Sequence, residues 1–382
     1  LSETSLYIGL MSGTSLDGVD AVLARFDQQG RPLILSHAAV DFPPSLRTEF
    51  LSLNAAGNDE LERAARAANE LVDLYAQAVQ EVLAQTKIAS SEVAALGAHG
   101  QTVRHRPERG YTIQLNAPAR LAELTGISVI ADFRSRDVAA GGQGAPLVPI
   151  FHAGVFSAPH TRVVLNLGGI ANITILRPQH PPQGFDTGPA NVLMDMWCAQ
   201  HTGHAFDRDG AWGASGEPDL KLLAYLIDSE PWFSLAAPKS TGRDLFNRSW
   251  LDKRLAQFFS ENQTSENSGS KNFDARTALN IQATLRNLTA HTVAQCILNE
   301  ASDTKELLVC GGGARNLALM AELQKLMPCP VRTTDSEGIG TQDVEALAFA
   351  WLAWAHQHGV PAGHPSVTGA RGPRILGACW PA

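Results

Sequence analysis

The sequence has few cysteines and spaces none of them as a pair. Cys198, Cys296, Cys310, Cys329 and Cys379 are odd in number and lack CxxC spacing. That argues against a disulfide framework or a zinc ribbon and makes a reducing cytosol the expected home. Positive charge is also short: 30 Lys and Arg stand against 38 Asp and Glu, for a net charge of -8. A nucleic-acid surface needs a clustered positive field, so no such partner is expected, though a few arginines in a cleft can still receive a small anion. No window approaches the roughly 20 apolar residues of a membrane span, so no membrane partner is expected either. Residues 1–10 lack a basic region followed by an apolar core and do not read as a signal peptide. The missing initiator Met points to numbering that begins slightly inside the translated chain.

Two nucleotide signatures are absent as well. No Gly-Lys-Ser/Thr follows a glycine-rich turn, which removes the Walker A loop. Gly311-Gly312-Gly313 has no matching third glycine or distant ribose acid, which removes the dinucleotide fingerprint.

What is present is the composition of a globular enzyme, 44% apolar and 18% charged, in a 382-residue chain that suits two domains. Residues 7–11, 20–26 and 33–40 read as a β-meander. A helix is predicted over about 59–86, where Leu61, Ala64, Ala65, Ala68, Leu71, Val72 and Tyr75 recur at helical spacing. Strands follow at 93–98, 112–115 and 128–133, with a helix at 119–124. A second meander, 162–167 and 170–176, turns at Gly168-Gly169. Helices are then predicted at 189–200, 218–228, 244–260, 275–300, 316–327 and 343–357, a buried strand at 305–310, and a polar loop at 260–272. Each half opens on a hairpin with a polar, glycine-bearing turn, so the expected fold class is α/β with two similar lobes. The expected boundary divides 1–150 from 151–382, with 358–382 able to pack back on the first lobe.

Five motifs carry chemistry. Gly9-Leu10-Met11-Ser12-Gly13-Thr14-Ser15-Leu16-Asp17-Gly18-Val19-Asp20 forms a turn whose N–H groups and hydroxyls can meet phosphate oxygens, with Asp17 able to hold Mg²⁺ directly or through water. An ordinary hairpin turn is the alternative, but three hydroxyls and two acids exceed what a turn needs. Asn166-Leu167-Gly168-Gly169 offers a second phosphate clamp, or again a plain hairpin. Gly184-Phe185-Asp186-Thr187-Gly188-Pro189 places a carboxylate where it serves either as a general base or as the cap of a helix starting at Pro189. Asp132-Phe133-Arg134-Ser135-Arg136-Asp137 puts Arg134 and Arg136 on one face if the strand continues, suited to a substrate carboxylate or to an ion pair with Asp132 or Asp137. His99-Gly100-Gln101-Thr102 can add polar contacts to that pocket, although a lone histidine is more often structural. Finally, Cys310-Gly311-Gly312-Gly313 ends a strand so that a flat ring can approach the backbone, or else makes a tight strand–helix joint.

Taken together, these ordered motifs and Gly141-Gly142-Gln143-Gly144-Ala145-Pro146 resemble the 1,6-anhydro-N-acetylmuramic acid kinases of bacterial cell-wall recycling across nearly the whole chain. Ala190 stands where that family has Gly, a small departure beside the acid. The resemblance implies two actin-like (ribonuclease H-like) lobes with ATP and sugar in the cleft between them, Mg²⁺, and a homodimer. It implies that phosphoryl transfer to the 6-oxygen accompanies hydrolytic opening of the anhydro bridge. Asp186 would be the catalytic base, with Arg134, Arg136, His99, Gln101, Thr102 and Gly188 about the sugar. The bridging oxygen carries no proton, so the base is needed for water. A kinase of a free sugar hydroxyl and a nucleotide-driven chaperone or filament protein of the same fold are the rival readings.

Overall fold

A computed structural model describes residues 4–13, 16–243, 245–261 and 273–382. Thr14, Ser15, Asp244 and nearly all of the predicted polar loop lie outside the described residues. In chain order the strands are β1 (Ser5–Met11), β2 (Gly18–Phe26), β3 (Pro32–Asp41), β4 (Val93–Ala98), β5 (Gln101–Arg106), β6 (Tyr111–Leu115) and β7 (Val129–Ala131). Then come β8 (Arg162–Leu167), β9 (Ile170–Leu176), β10 (Gln183–Pro189), β11 (Glu306–Cys310), β12 (Val331–Thr333) and β13 (Ala378–Trp380). The helices are α1 (Pro44–Leu53), α2 (Glu60–Thr86), α3 (Pro118–Thr125), α4 (Ser135–Ala139), α5 (Pro149–Phe156), α6 (Asn191–Thr202) and α7 (Ala211–Ala214). They continue with α8 (Leu220–Asp228), α9 (Arg248–Glu261), α10 (Ala275–Glu300), α11 (Leu317–Leu326), α12 (Asp343–Gln357) and α13 (Pro365–Thr368). Among the described residues no helix is long and apolar enough to cross a membrane.

The chain divides into two compact units, one of Leu1–Ser157, Pro181–Gln183 and Gln342–Ala382, the other of Ala158–His180 and Gly184–Thr341. The expectation that 358–382 can pack back on the first lobe is thus extended to all of 342–382, and the second unit ends at Thr341. The reason lies in the strands of the first unit. An added Cβ at Gly9 of β1 would sit 1.8 Å from the Ala346 carbonyl oxygen, and one at Gly97 of β4 would sit 2.0 Å from that of Phe349. Bare strand backbone at these positions lets α12 lie directly on the sheet. On the other face, Ile8, Leu10, Leu96 and Ala98 share a core with Leu71, Val72 and Tyr75 of α2. The period-2 alternation of a strand thus assigns the two helices to opposite faces.

The first unit's sheet runs β13-β7-β4-β1-β2-β3. Strands β1, β2 and β3 form the antiparallel meander, and β4 and β7 add in parallel beyond β1. The second unit's sheet runs β10-β9-β8-β11-β12, with β9 antiparallel to β8 and β11 and β12 parallel to it. Counting each sheet's strands by order of appearance, the second unit spells third, second, first, fourth, fifth, the ribonuclease H-like arrangement expected, and the first unit spells the same with a sixth strand, β13, added beyond the fifth. The second unit's own core gathers Val163, Leu165, Ile173, Leu307 and Val309 from the strands with Leu285, Leu288 and Val293 of α10.

Two local expectations fail. The segment before α6 is strand β10 rather than a turn opening a helix, and the helix starts at Asn191. Its Gly, Asp and Pro residues argue for a turn locally, but β10 is an edge strand with Pro189 at its end, where a missing N–H does no harm. Likewise β7 stops at Ala131, and the chain turns at Asp132 (φ 56°) into α4.

Candidate functional site

In the first unit the chemistry gathers where β1 and β4 end. Ser12, buried just past β1, takes part in a closed ring of hydrogen bonds. The Gly100 N–H donates to the Tyr75 hydroxyl (3.0 Å), the Ser12 hydroxyl donates to the Gly100 carbonyl (3.0 Å), and Ser12 Oγ and the Tyr75 hydroxyl lie 3.0 Å apart. Tyr75 sits on the apolar face of α2, and burial pushes its phenol well above its usual value. His99 joins this ring to the arginine motif. Its Nδ1 lies 3.1 Å from the Ser12 carbonyl, and its Nε2 accepts from Arg134 Nη2 (2.9 Å) and Nε (3.3 Å). Burial, and then the charge of Arg134, lower its pKa to about 3, so the ring is neutral and donates through Nδ1. Both ring nitrogens are engaged within the protein, which gives His99 the support of Arg134 and the loop rather than a ligand contact.

Arg134 also donates through Nη1 to the Gly144 carbonyl (2.7 Å). Gly144 is in turn fixed by Asp137, which accepts from the Gly144 N–H (2.8 Å) and the Thr368 hydroxyl (2.7 Å). The half-buried guanidinium is thus oriented from two sides, by His99 and by Gly144. Arg136 does not share its face. It is exposed on α4, and residues two apart on a helix point away from each other. Gln101 is buried with its Oε1 lacking a partner among the described residues, while Thr102 Oγ1 accepts from Gln114 (3.2 Å). Of the first loop, Leu16 (φ 60°) and Val19 are buried, Asp17 and Asp20 are exposed, and Gly18 lies against the Val40 carbonyl. Gly13 ends the described part of the turn, its carbonyl accepting from the Leu16 N–H (3.3 Å).

In the second unit the site forms at the C-terminal ends of the parallel strands β8 and β11, where ligands of such sheets bind. The Gly168-Gly169 turn rests on the first residues of α6. The N–H groups of Ala190 and Val192 donate to the Gly169 carbonyl (3.0 and 3.1 Å), and that of Asn191 donates to Gly168 (3.0 Å). Asn191 Nδ2 adds a bond to the Leu167 carbonyl (3.0 Å). Gly311 (φ +83°) closes against the same hairpin, since a Cβ there would be 2.3 Å from Asn166 Oδ1. Gly313 meets Leu167, and Gly312 is open but for Asn191 Nδ2 at 3.8 Å. Sequence motifs 140 residues apart are thus brought into one cradle, with Cys310 buried beneath it.

Asp186 lies half-buried on β10 and does not cap α6, which has no side-chain cap. Its backbone N–H donates to the Lys239 carbonyl (3.0 Å), and its Oδ2 accepts from the Thr241 N–H (2.9 Å). A carboxylate oxygen held by backbone has a fixed aim, as a base requires. Gly188 instead serves packing: a Cβ there would be 2.9 Å from the Phe233 ring. Lys239 and Thr241 stand in no motif of the sequence analysis, while Tyr75 enters it only as a helix-face residue and Asp137 only as an ion-pair partner for the arginines. Lys239-Ser240-Thr241-Gly242 has the hydroxyl-and-glycine character of the other loops, the one signal that pointed to it.

A sequence model of one family, described as anhydro-N-acetylmuramic acid kinase, matches residues 5–382. Curated proteins bearing that name include one from Bordetella petrii, 57% identical over 99% of this chain and 96% of its own. One from Bordetella pertussis is 58% identical with the same coverage, and one from Chromobacterium violaceum is 48% identical over 99% of this chain and 100% of its own.

Proposed function

The chain belongs to the anhydro-N-acetylmuramic acid kinase family, and on that premise we propose that it converts 1,6-anhydro-N-acetylmuramic acid, water and ATP to N-acetylmuramic acid 6-phosphate and ADP. The observation that carries the reading is the placement of Asp186, a half-buried carboxylate on β10 whose Oδ2 is gripped by the Thr241 N–H and which does not cap α6. Asp186 takes a proton from water as the water oxygen bonds to the anomeric carbon. The bond from that carbon to the 6-oxygen breaks, and the electron pair stays on oxygen. That oxygen bonds to the γ-phosphorus while the bridge to ADP breaks, and the proton on Asp186 is later released to solvent.

Arg134 pairs with the lactyl carboxylate of the sugar. Gly13 and residues 16–20 of the first loop, with Asn166, Gly168 and Gly169 of the second, meet the phosphates, and the cradle at Gly311-Gly312-Gly313 admits the adenosine. Mg²⁺ would neutralise charge on the phosphates. The exposed carboxylate of Asp17 fits an ion held mainly by phosphate and water. A cytoplasmic place in cell-wall recycling and a homodimer complete the proposal, the latter open to sedimentation.

Turnover in ¹⁸O-water tests the chemistry. Label is expected at the anomeric hydroxyl of the product; unlabelled product, or equal turnover of ordinary N-acetylmuramic acid, would favour phosphorylation of a free hydroxyl instead. Asp186→Asn should lower kcat by about 10²–10⁴-fold with both KM values nearly unchanged. Its melting temperature should stay near that of the parent chain, because no cap is lost.

A further inference from the structure

Two bonds to Asp186 come from one short segment, residues 239–241. Lys239 gives its carbonyl to the Asp186 N–H, and Thr241 gives its N–H to the carboxylate. The Lys239 side chain ties that segment to a neighbouring turn. Its ammonium donates to the Phe233 carbonyl (2.8 Å) and the Trp232 carbonyl (3.4 Å) and lies 4.4 Å over the Trp232 ring. Trp232 returns a bond from its indole Nε1 to the Ser240 carbonyl (3.2 Å). The turn that receives the ammonium, Pro231–Ser234, is itself firm. Glu230 accepts from the Trp232 N–H (3.2 Å), from Trp250 Nε1 (2.8 Å) and from Arg254 (3.1 Å). The same turn touches β10 directly, with Phe233 against Gly188, two residues beyond the acid.

We propose that Lys239 is a positioning residue for Asp186, fastening the backbone segment that grips the base to the Trp232–Phe233 turn. The inference rests on Asp186 as the base. An ammonium is apt for the task because one group can donate to two carbonyls at once and stack on an indole. Burial lowers its pKa, so the charge is kept in a place that disfavours it. A lysine serving only surface solubility would stand in water.

The test compares Lys239→Met, Lys239→Arg, Trp232→Phe and Asp186→Asn in the full chain, reading kcat, KM for each substrate and melting temperature. Lys239→Met should lower kcat by about 10–100-fold, the effect of misplacing a reacting group by about 1 Å. Both KM values should change less than about threefold, since the arginine and phosphate loops are untouched. Lys239→Arg should recover most of the rate, because a guanidinium also reaches carbonyls and stacks on the ring. Trp232→Phe keeps a ring, loses the Ser240 bond and should lower kcat several-fold. It carries the test if Lys239→Met fails to fold, and wild-type kcat in a folded Trp232→Phe would then overturn the proposal. An inactive Asp186→Asn beside a fully active Lys239→Met would overturn the proposal and leave the base standing. An active Asp186→Asn would overturn the base itself. Loss in Lys239→Arg equal to that in Lys239→Met, or a loss expressed in KM, would also count against positioning.

Discussion

The two sheets share the order of their first five strands, yet they secure the turn after the first strand by different means. In the first unit the turn after β1 is tied down by side chains distant in sequence, Tyr75 of α2 and His99 after β4. In the second, the Gly168-Gly169 turn is tied down by backbone, three N–H groups at the start of α6. Glycine is used differently too. Gly9 and Gly97 sit inside strands of the first sheet and admit the backbone of α12, whereas Gly168, Gly311 and Gly313 sit at strand ends of the second. A turn held by side chains is adjustable by single substitutions. A turn held by main chain is indifferent to most of them, and that difference can be tested.

The largest expected effect is at the strand glycines. Gly9→Ala drives a methyl into a helix carbonyl at 1.8 Å, with no flexible side chain to yield. It should destabilise the first unit by about 4 kcal/mol or more, or prevent its folding. Gly168→Ala meets nothing nearer than 3.6 Å, so its urea midpoint should match the parent chain while ATP turnover falls. Equal midpoints for the two variants would erase the distinction.

That contrast also marks where the sequence was legible. Periodicity located α2, the meander strands, β4, β8, β9, α10 and α12 to within a residue or two, because each follows its own local pattern. The motifs were also found, since glycine and hydroxyl runs stand out from a periodic background. Membership of α12 in the first unit was not legible, as it depends on bare backbone at Gly9 and Gly97 facing a helix more than 200 residues away. Strand β10 is not legible, because pairing with β9 overrides a composition that reads as a turn. The shared face proposed for Arg134 and Arg136 failed for a similar reason, the early end of β7. Nor could spacing show that His99 spends both ring nitrogens inside the protein.

Next in size is the response to acid. His99 and His152, both in the first unit, are lowered to about 3, the first by burial and Arg134, the second by burial alone. Unfolded, each returns to its usual value near 6.5, so between about pH 3 and 6.5 the unfolded chain binds the additional protons. Stability is then full above about pH 6.5 and declines as the pH falls, by about 1.4 kcal/mol per pH unit for each histidine. In the second unit, part-exposed His201 is lowered by burial and then Arg248, and adds less. Burial alone would raise Glu230, but bonds from Trp250, the Trp232 N–H and Arg254 outweigh it and lower the carboxyl. Its share persists until the carboxylate range. Proteolysis at pH 5 should therefore cut the first unit before the second, and His152→Gln should flatten the slope of urea stability between pH 7 and 5. Simultaneous cleavage, or an unchanged slope, would mean that the units do not differ in this way.

The smallest effect addresses the turns themselves. Tyr75→Phe removes the hydroxyl that accepts from the Gly100 N–H and lies against Ser12 Oγ, while Ser12 keeps its bond to the Gly100 carbonyl. A buried N–H left without an acceptor costs about 1–3 kcal/mol. The loosened first loop should also raise the KM for ATP more than that for the sugar, because Arg134 keeps its own bonds to His99 and Gly144. Asn191→Ala is the matching change in the second unit. It deletes one side-chain bond to Leu167 but leaves three main-chain donors on the turn, so its stability loss should stay within about 1 kcal/mol. If Asn191→Ala harmed stability as much as Tyr75→Phe, the second turn would depend on its side chain as the first does, and the distinction between the two fastenings would fall.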